Sequence, residues 1–112
     1  MSSEERGKEL KAELERILGI LKERIHPEKV ILFGSLVSGR LRPESDIDLL
    51  IIQDSSDSIF ERIRKMESVL NRQYAADLIV LTPTEIQSLL DSGNRYLKNI
   101  FSQGKVVYER AA

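Results

Sequence analysis

The sequence predicts an α/β fold, a small mixed sheet flanked by helices. Three observations carry that expectation. Apolar residues recur at three- and four-residue steps over the first quarter of the chain and again within 59–70, 86–90 and 96–101, the period of amphipathic helices. Between these stripes lie short apolar runs at 30–33, 47–52 (interrupted only by Asp48), 78–81 and 106–108, too short for helices and rich in β-branched residues. The two kinds of signal alternate, which is the order expected of helices packed against a sheet.

Each element has its own local reason. Leu10, Leu14, Ile17, Leu18, Leu21 and Ile25 form one stripe of a first helix whose other faces are Glu, Lys and Arg. Pro27 stops it, because proline and the residue before it both resist helix. His26, the only histidine, falls at that helix end, where a solvated imidazole favours the dipole. Positions 30–33 read as a buried strand, 34–39 as a tight turn with space for one helical turn, and 40–45 as a loop. The run 47–52 is apolar on both faces beyond its aspartates, the pattern of a strand central in its sheet. After the polar break 54–58, Ser58 and Glu61 have capping-box spacing, and Ile59, Ile63, Met66, Val69 and Leu70 are the predicted inward face of the next helix. A third strand follows at 76–81. Thr82-Pro83-Thr84-Glu85 is a second capping box with proline at the first helical position, leading into Ile86, Leu89 and Leu90. Asp91-Ser92-Gly93-Asn94 interrupts. Tyr96, Leu97, Ile100 and Phe101 then make a last, mostly core, helical stripe, and Gly104-Lys105 turns into a strand at 106–108.

Composition excludes several classes of function. The 112 residues fit one compact domain, 1–112. A content of 41% hydrophobic and 31% charged residues is that of a globular chain. A net charge of -1 argues against strong generic binding to nucleic acid, which needs a basic excess. The absence of cysteine removes disulfides and thiolate metal sites. No run approaches the roughly 18 apolar residues of a membrane span. The acidic start, Met1-Ser2-Ser3-Glu4-Glu5, lacks a secretory pattern, so the cytosol is the expected location.

The chemistry is concentrated in two short segments. Gly34-Ser35 closes the apolar run 30–33, and Asp46-Ile47-Asp48 opens the run 47–52. Residues i and i+2 of a strand share a side, so Asp46 and Asp48 present two carboxylates together. Like charges held that close repel unless a cation separates them or one takes up a proton. Gly34 has no side chain and lets backbone N–H groups approach a phosphate. Ser35 adds a hydroxyl at a predicted helix start, where unpaired N–H groups favour anions. Carboxylate oxygens are ligands for Mg²⁺ or Mn²⁺. If the strand opened by Asp77 lies beside 47–52, a third carboxylate joins, and three could hold two ions. Gly-Ser and Asp-x-Asp at one fixed spacing arise by chance in roughly one chain in a thousand of this length.

Phe33-Gly34-Ser35, a ten-residue spacer, Ser45 through Leu50 and the later Asp77-Leu78-Ile79 resemble the minimal nucleotidyltransferases, small members of the DNA polymerase beta-type nucleotidyltransferase superfamily. The resemblance runs to the closing Gly104-Lys105-Val106-Val107-Tyr108-Glu109. It implies the nucleotidyltransferase, polymerase beta-like palm fold. It also implies a metal-binding catalytic triad of Asp46, Asp48 and Asp77, with two Mg²⁺ (or Mn²⁺) and with Gly34 and Ser35 on the nucleoside triphosphate. Family members often carry an arginine just before the glycine that is Gly39 here; this chain has Ser38, and Arg40 or Arg42 becomes the candidate replacement. The implied activity transfers a nucleoside monophosphate, most simply AMP from ATP, to a hydroxyl. The implied partner and acceptor is a HEPN-domain toxin, with this chain as its antitoxin in a homo- or hetero-oligomer. The alternative is a binding module that neutralises its partner by complex formation with the metal site idle. A small-molecule nucleotidyltransferase of the aminoglycoside-modifying sort is a third reading, disfavoured because those enzymes add a substrate domain.

Overall fold

The computed structural model describes residues 2–71 and 76–111. Helix α1 (Ser3–Ile20) is N-capped by Ser2, whose hydroxyl accepts from the Glu5 N–H. Its stripe continues through one π-helical turn, Leu21–Ile25, and ends at His26 in a left-handed conformation. The predicted single helix thus widens in its last turn before Pro27. Strand β1 (Lys29–Phe33) leads to the one-turn helix α2 (Ser35–Ser38), and β2 (Ile47–Ile52) follows the 40–45 loop. Then come α3 (Ile59–Leu70), β3 (Ala76–Leu81), α4 (Pro83–Asp91), α5 (Arg95–Gln103) and β4 (Lys105–Glu109).

The sheet order is β3-β2-β1-β4. β1 is antiparallel to both β2 and β4, whereas β2 and β3 run parallel. Parallel neighbours need a crossover, and α3 supplies it. β2 is an inner strand, as its two-sided apolar run requires. Alternation sorts its side chains between two cores. Ile47, Leu49 and Ile51 join Val30, Leu32 and residues of α1 and α3 on one face. Leu50 and Ile52 join Ile31, Leu81 and residues of α4 and α5 on the other. Each fully buried leucine or isoleucine contributes about 1.5–3 kcal/mol, so β2 is held from both sides. By the same alternation, Asp48 belongs to the α4/α5 face.

Helix ends follow the sequence signals with one difference. Thr82 and Glu85 form the complete reciprocal capping box. Ser58 accepts from the Glu61 N–H, but the Glu61 carboxylate is taken by Arg64 at 2.6 Å. Three predicted core positions also lie outward: Ile59 at the first turn of α3, and Tyr96 and Phe101 on α5.

Arg62 takes the interior place on α3 instead. It is buried, donates to the Asp57 and Val80 carbonyls, and grips Glu85 with both terminal nitrogens at 2.6 and 2.9 Å. That guanidinium, followed by the Thr82 backbone N–H, holds the Glu85 carboxyl down to about 2. A depressed carboxylate stabilises the fold above its unfolded value near 4.5 and loses that contribution as pH falls toward 2. Glu85→Gln is therefore expected to lower unfolding free energy at pH 7 by about 1–2 kcal/mol, after allowance for partial exposure. Urea unfolding should show the gap narrowing between pH 4.5 and pH 2; a gap independent of pH would contradict the ion-pair account.

Candidate active site

The β2–β3 register sets the site. Asp48 pairs with Asp77 across the parallel strands, and Phe33 pairs with Asp48 across the antiparallel ones. Asp48 and Asp77 are thus side-by-side partners on adjacent strands. Burial first, then the neighbouring Asp77 carboxyl and the charge of Asp46, push Asp48 up to about 6. Asp48 therefore takes up a proton below about pH 6 in the absence of a cation.

Gly34 lies directly against this pair. Its φ of 78° and ψ of -151° are accessible essentially to glycine alone. A β-carbon built there would run into the Asp48 carboxylate. The Gly34 carbonyl accepts from the Val37 and Ser38 N–H groups, and Gly39 closes the turn from a φ of 80°. With only four residues, α2 has little dipole of its own. What the turn presents to the cleft is its leading N–H groups, which have no intrahelical acceptor, and the Ser35 hydroxyl.

Asp46 stands just ahead of β2, positioned by contacts that no local pattern announces. Arg6 on α1 donates through Nε to the Ser45 carbonyl at 2.9 Å, and its Nη2 lies 3.9 Å from Asp46 Oδ1. Ser45 is buried and accepts from the Arg42 N–H at 2.8 Å. Arg6 is forty residues from Asp46 in sequence, so spacing carries no trace of this brace.

A cleft of ≈ 790 Å³ opens beside the Gly34-Ser35 turn. Gly34, Ser35, Arg40 and Arg42 line one side and α5 lines the other. The four residues predicted to meet the nucleotide are thus gathered on one wall, and both arginines of the loop reach it. The acidic residues adjoin this wall through the Gly34–Asp48 contact.

The donor set suits a hard cation, with one restriction. Among the described residues, no group of three or more His, Asp or Glu side chains is gathered closely enough to hold a metal ion as it stands. Asp48 and Asp77 are register partners on adjacent strands; Asp46 lies within 3.9 Å of Arg6. Two neighbouring carboxylates suit the usual Mg²⁺ mode of one or two carboxylates plus substrate phosphates.

A four-stranded mixed sheet with these crossovers and flanking helices is the fold of a nucleotidyltransferase. The chain belongs to the polymerase beta nucleotidyltransferase family, whose model, described as Polymerase beta, Nucleotidyltransferase, matches residues 15–112. Solved structures share the fold. A provisionally assigned nucleotidyltransferase from Sulfolobus solfataricus superposes with a TM-score of 0.66 at 22% identity, over 98% of this chain and 89% of its own. A toxin–antitoxin structure with AMP-PNP gives a TM-score of 0.52 at 25% identity, covering 85% of this chain and 72% of that one. A mutant MntA–HepT toxin–antitoxin gives 0.50 at 25% identity, with coverage of 86% and 72%. No curated protein sequence matches this one.

Proposed function

We propose that this protein transfers a nucleoside monophosphate, AMP from ATP, to a hydroxyl of a partner protein with release of pyrophosphate. The partner is a HEPN-domain toxin, for which the chain serves as antitoxin. One observation carries the reading: Asp48 and Asp77 meet in register against the Gly34-Ser35 turn, where that turn lines a nucleotide-sized cleft. Likeness to a toxin–antitoxin structure with AMP-PNP supports the choice of nucleotide and partner.

The roles divide by chemistry. The backbone of Gly34-Ser35 and the Ser35 hydroxyl receive phosphate oxygens. Arg40 and Arg42, on the same wall, supply the positive charge that Ser38 does not. Asp48 and Asp77, with Asp46 drawn in, would hold Mg²⁺ or Mn²⁺, which when bound lowers the pKa of an attacking hydroxyl and neutralises phosphate charge. Arg6 keeps the 42–46 segment in place, so that Asp46 stays beside Asp48. Transfer of this kind is mostly positioning and charge neutralisation, which fits a site with no histidine or cysteine near it.

Labelled ATP, Mg²⁺ and a candidate HEPN-domain partner protein provide the test. Label should appear on that protein, fail to appear when EDTA is present from the start, and appear again when Mg²⁺ is restored. A tight complex that carries no label and is unaffected by Asp46→Asn would establish the idle binding module instead.

A further inference from the structure

The wall of the cleft opposite the arginines is made by α5. Leu97 and Ile100 are buried on its core side. Tyr96, Asn99 and Gln103, at i, i+3 and i+7, line the cleft, as one helix face should. The Tyr96 ring is steadied edge-on against Phe33, with centroids 6.2 Å apart and planes at 90°, yet 60% of the residue stays exposed. Phe33 immediately precedes Gly34, so the ring is anchored next to the phosphate-binding turn. The Asn99 and Gln103 side chains engage no other side chain among the described residues; the Asn99 backbone carbonyl accepts from the Ser102 hydroxyl. The wall carries no charge, in contrast to the arginine side.

From this asymmetry we infer that Tyr96, Asn99 and Gln103 form the base-recognition wall of the nucleotide site, reading a purine. The inference rests on the nucleotidyl-transfer reading and adds to it the residues that select the base. An aromatic ring offers a stacking platform to a nucleobase. A carboxamide both donates and accepts, the pair of functions that matches the N6 and N7 edge of adenine. A cleft with cations along one wall and a neutral aromatic-and-amide face along the other has the polarity of a nucleoside triphosphate lying across it. The enclosed volume lies within the range of small-ligand sites.

Calorimetric titration of the full protein in Mg²⁺ with ATP, CTP and inorganic tripolyphosphate separates base from phosphate. Wild type is expected to bind ATP more tightly than CTP and to bind tripolyphosphate measurably. Tyr96→Ala should weaken ATP about tenfold or more and leave tripolyphosphate unchanged; Tyr96→Phe, which keeps the ring, should retain ATP affinity. The double variant N99A/Q103A should erase the preference for ATP over CTP. Unchanged ATP affinity in these variants, or equal losses for ATP and tripolyphosphate, would overturn the base wall while leaving the phosphate site standing. Loss of partner binding with ATP affinity intact would overturn it in favour of an acceptor surface. Wild type that binds neither ATP nor tripolyphosphate would instead remove the nucleotide reading itself, and the wall with it.

Discussion

Asp48→Asn is expected to lower nucleotidyl transfer at least about a thousandfold, the several kcal/mol that a cation ligand provides to the transition state, and to make the metal-free protein more stable. The two effects have one origin. In the folded protein, burial and two neighbouring carboxylates raise Asp48 from its ordinary 3.8 to about 6. A carboxyl raised in this way favours the fold only while protonated. The cost of ionising it is absent below about pH 4, grows between 4 and 6, and is complete above 6. Fully expressed, that shift is worth about 3 kcal/mol; partial solvation leaves on the order of 1 kcal/mol. Asparagine is nearly isosteric, can donate to Asp77, and carries no charge. The variant's melting temperature in EDTA should therefore exceed that of wild type by about 4–8 °C at pH 8 and equal it at pH 4. Adding Mg²⁺ should raise the wild-type value and leave the variant's unchanged, because an ion that binds only the folded state stabilises it. Full activity in the variant would sink the catalytic assignment. A variant less stable than wild type at pH 8 would contradict the crowding of charge at Asp48.

Local pattern made most of the fold legible. The bounds of β2 follow from an apolar run with aspartates at its head, and those of α4 from a capping box with proline at the first position. The meeting of Asp48 and Asp77 was conditional on strand adjacency, and an apolar run cannot say which neighbour it will have; register is decided by packing across the whole sheet. Arg62 was invisible for a related reason. An arginine among Glu, Arg and Lys in an amphipathic helix reads as solvated, and only the approach of α4 turns it into the buried partner of Glu85. Of the mostly-core stripe expected at 96–101, Leu97 and Ile100 are buried and Tyr96 and Phe101 are not, because period alone does not show which edge of an apolar face the sheet covers. Tyr96 and Phe101 flank that buried pair, and Tyr96 meets β1 just edge-on at Phe33. Arg6 has no sequence signal at all: its role exists only because α1 lies across the loop before Asp46.

Gly34→Ala should be the most damaging conservative change outside the acidic residues, costing about 3 kcal/mol or more in stability and about a hundredfold in transfer. Two terms add. The backbone at φ 78° and ψ -151° costs an L-residue on the order of 1–3 kcal/mol. The new methyl also meets the Asp48 carboxylate, with Cγ only 3.0 Å away, so either the turn or the carboxylate must move. Displacement near an ångström at a reacting centre is enough for a hundredfold loss. Gly39 provides the comparison: its φ of 80° is also positive, but a β-carbon there meets nothing. Gly39→Ala should therefore cost about 1 kcal/mol from the backbone alone and spare the position of Asp48. A double-mutant cycle isolates the steric part. In an Asp48→Ala background the obstructing oxygen is gone, and Gly34→Ala should then cost little more than its backbone strain, leaving a coupling energy of about 1–2 kcal/mol between the two sites in urea unfolding. Strict additivity would mean that Gly34 is glycine only for its turn. A coupling of the expected size would mean that this position is kept bare because the acidic strand leaves no space for a side chain, so that the Gly34-Ser35 turn and the carboxylates are built against each other as one unit.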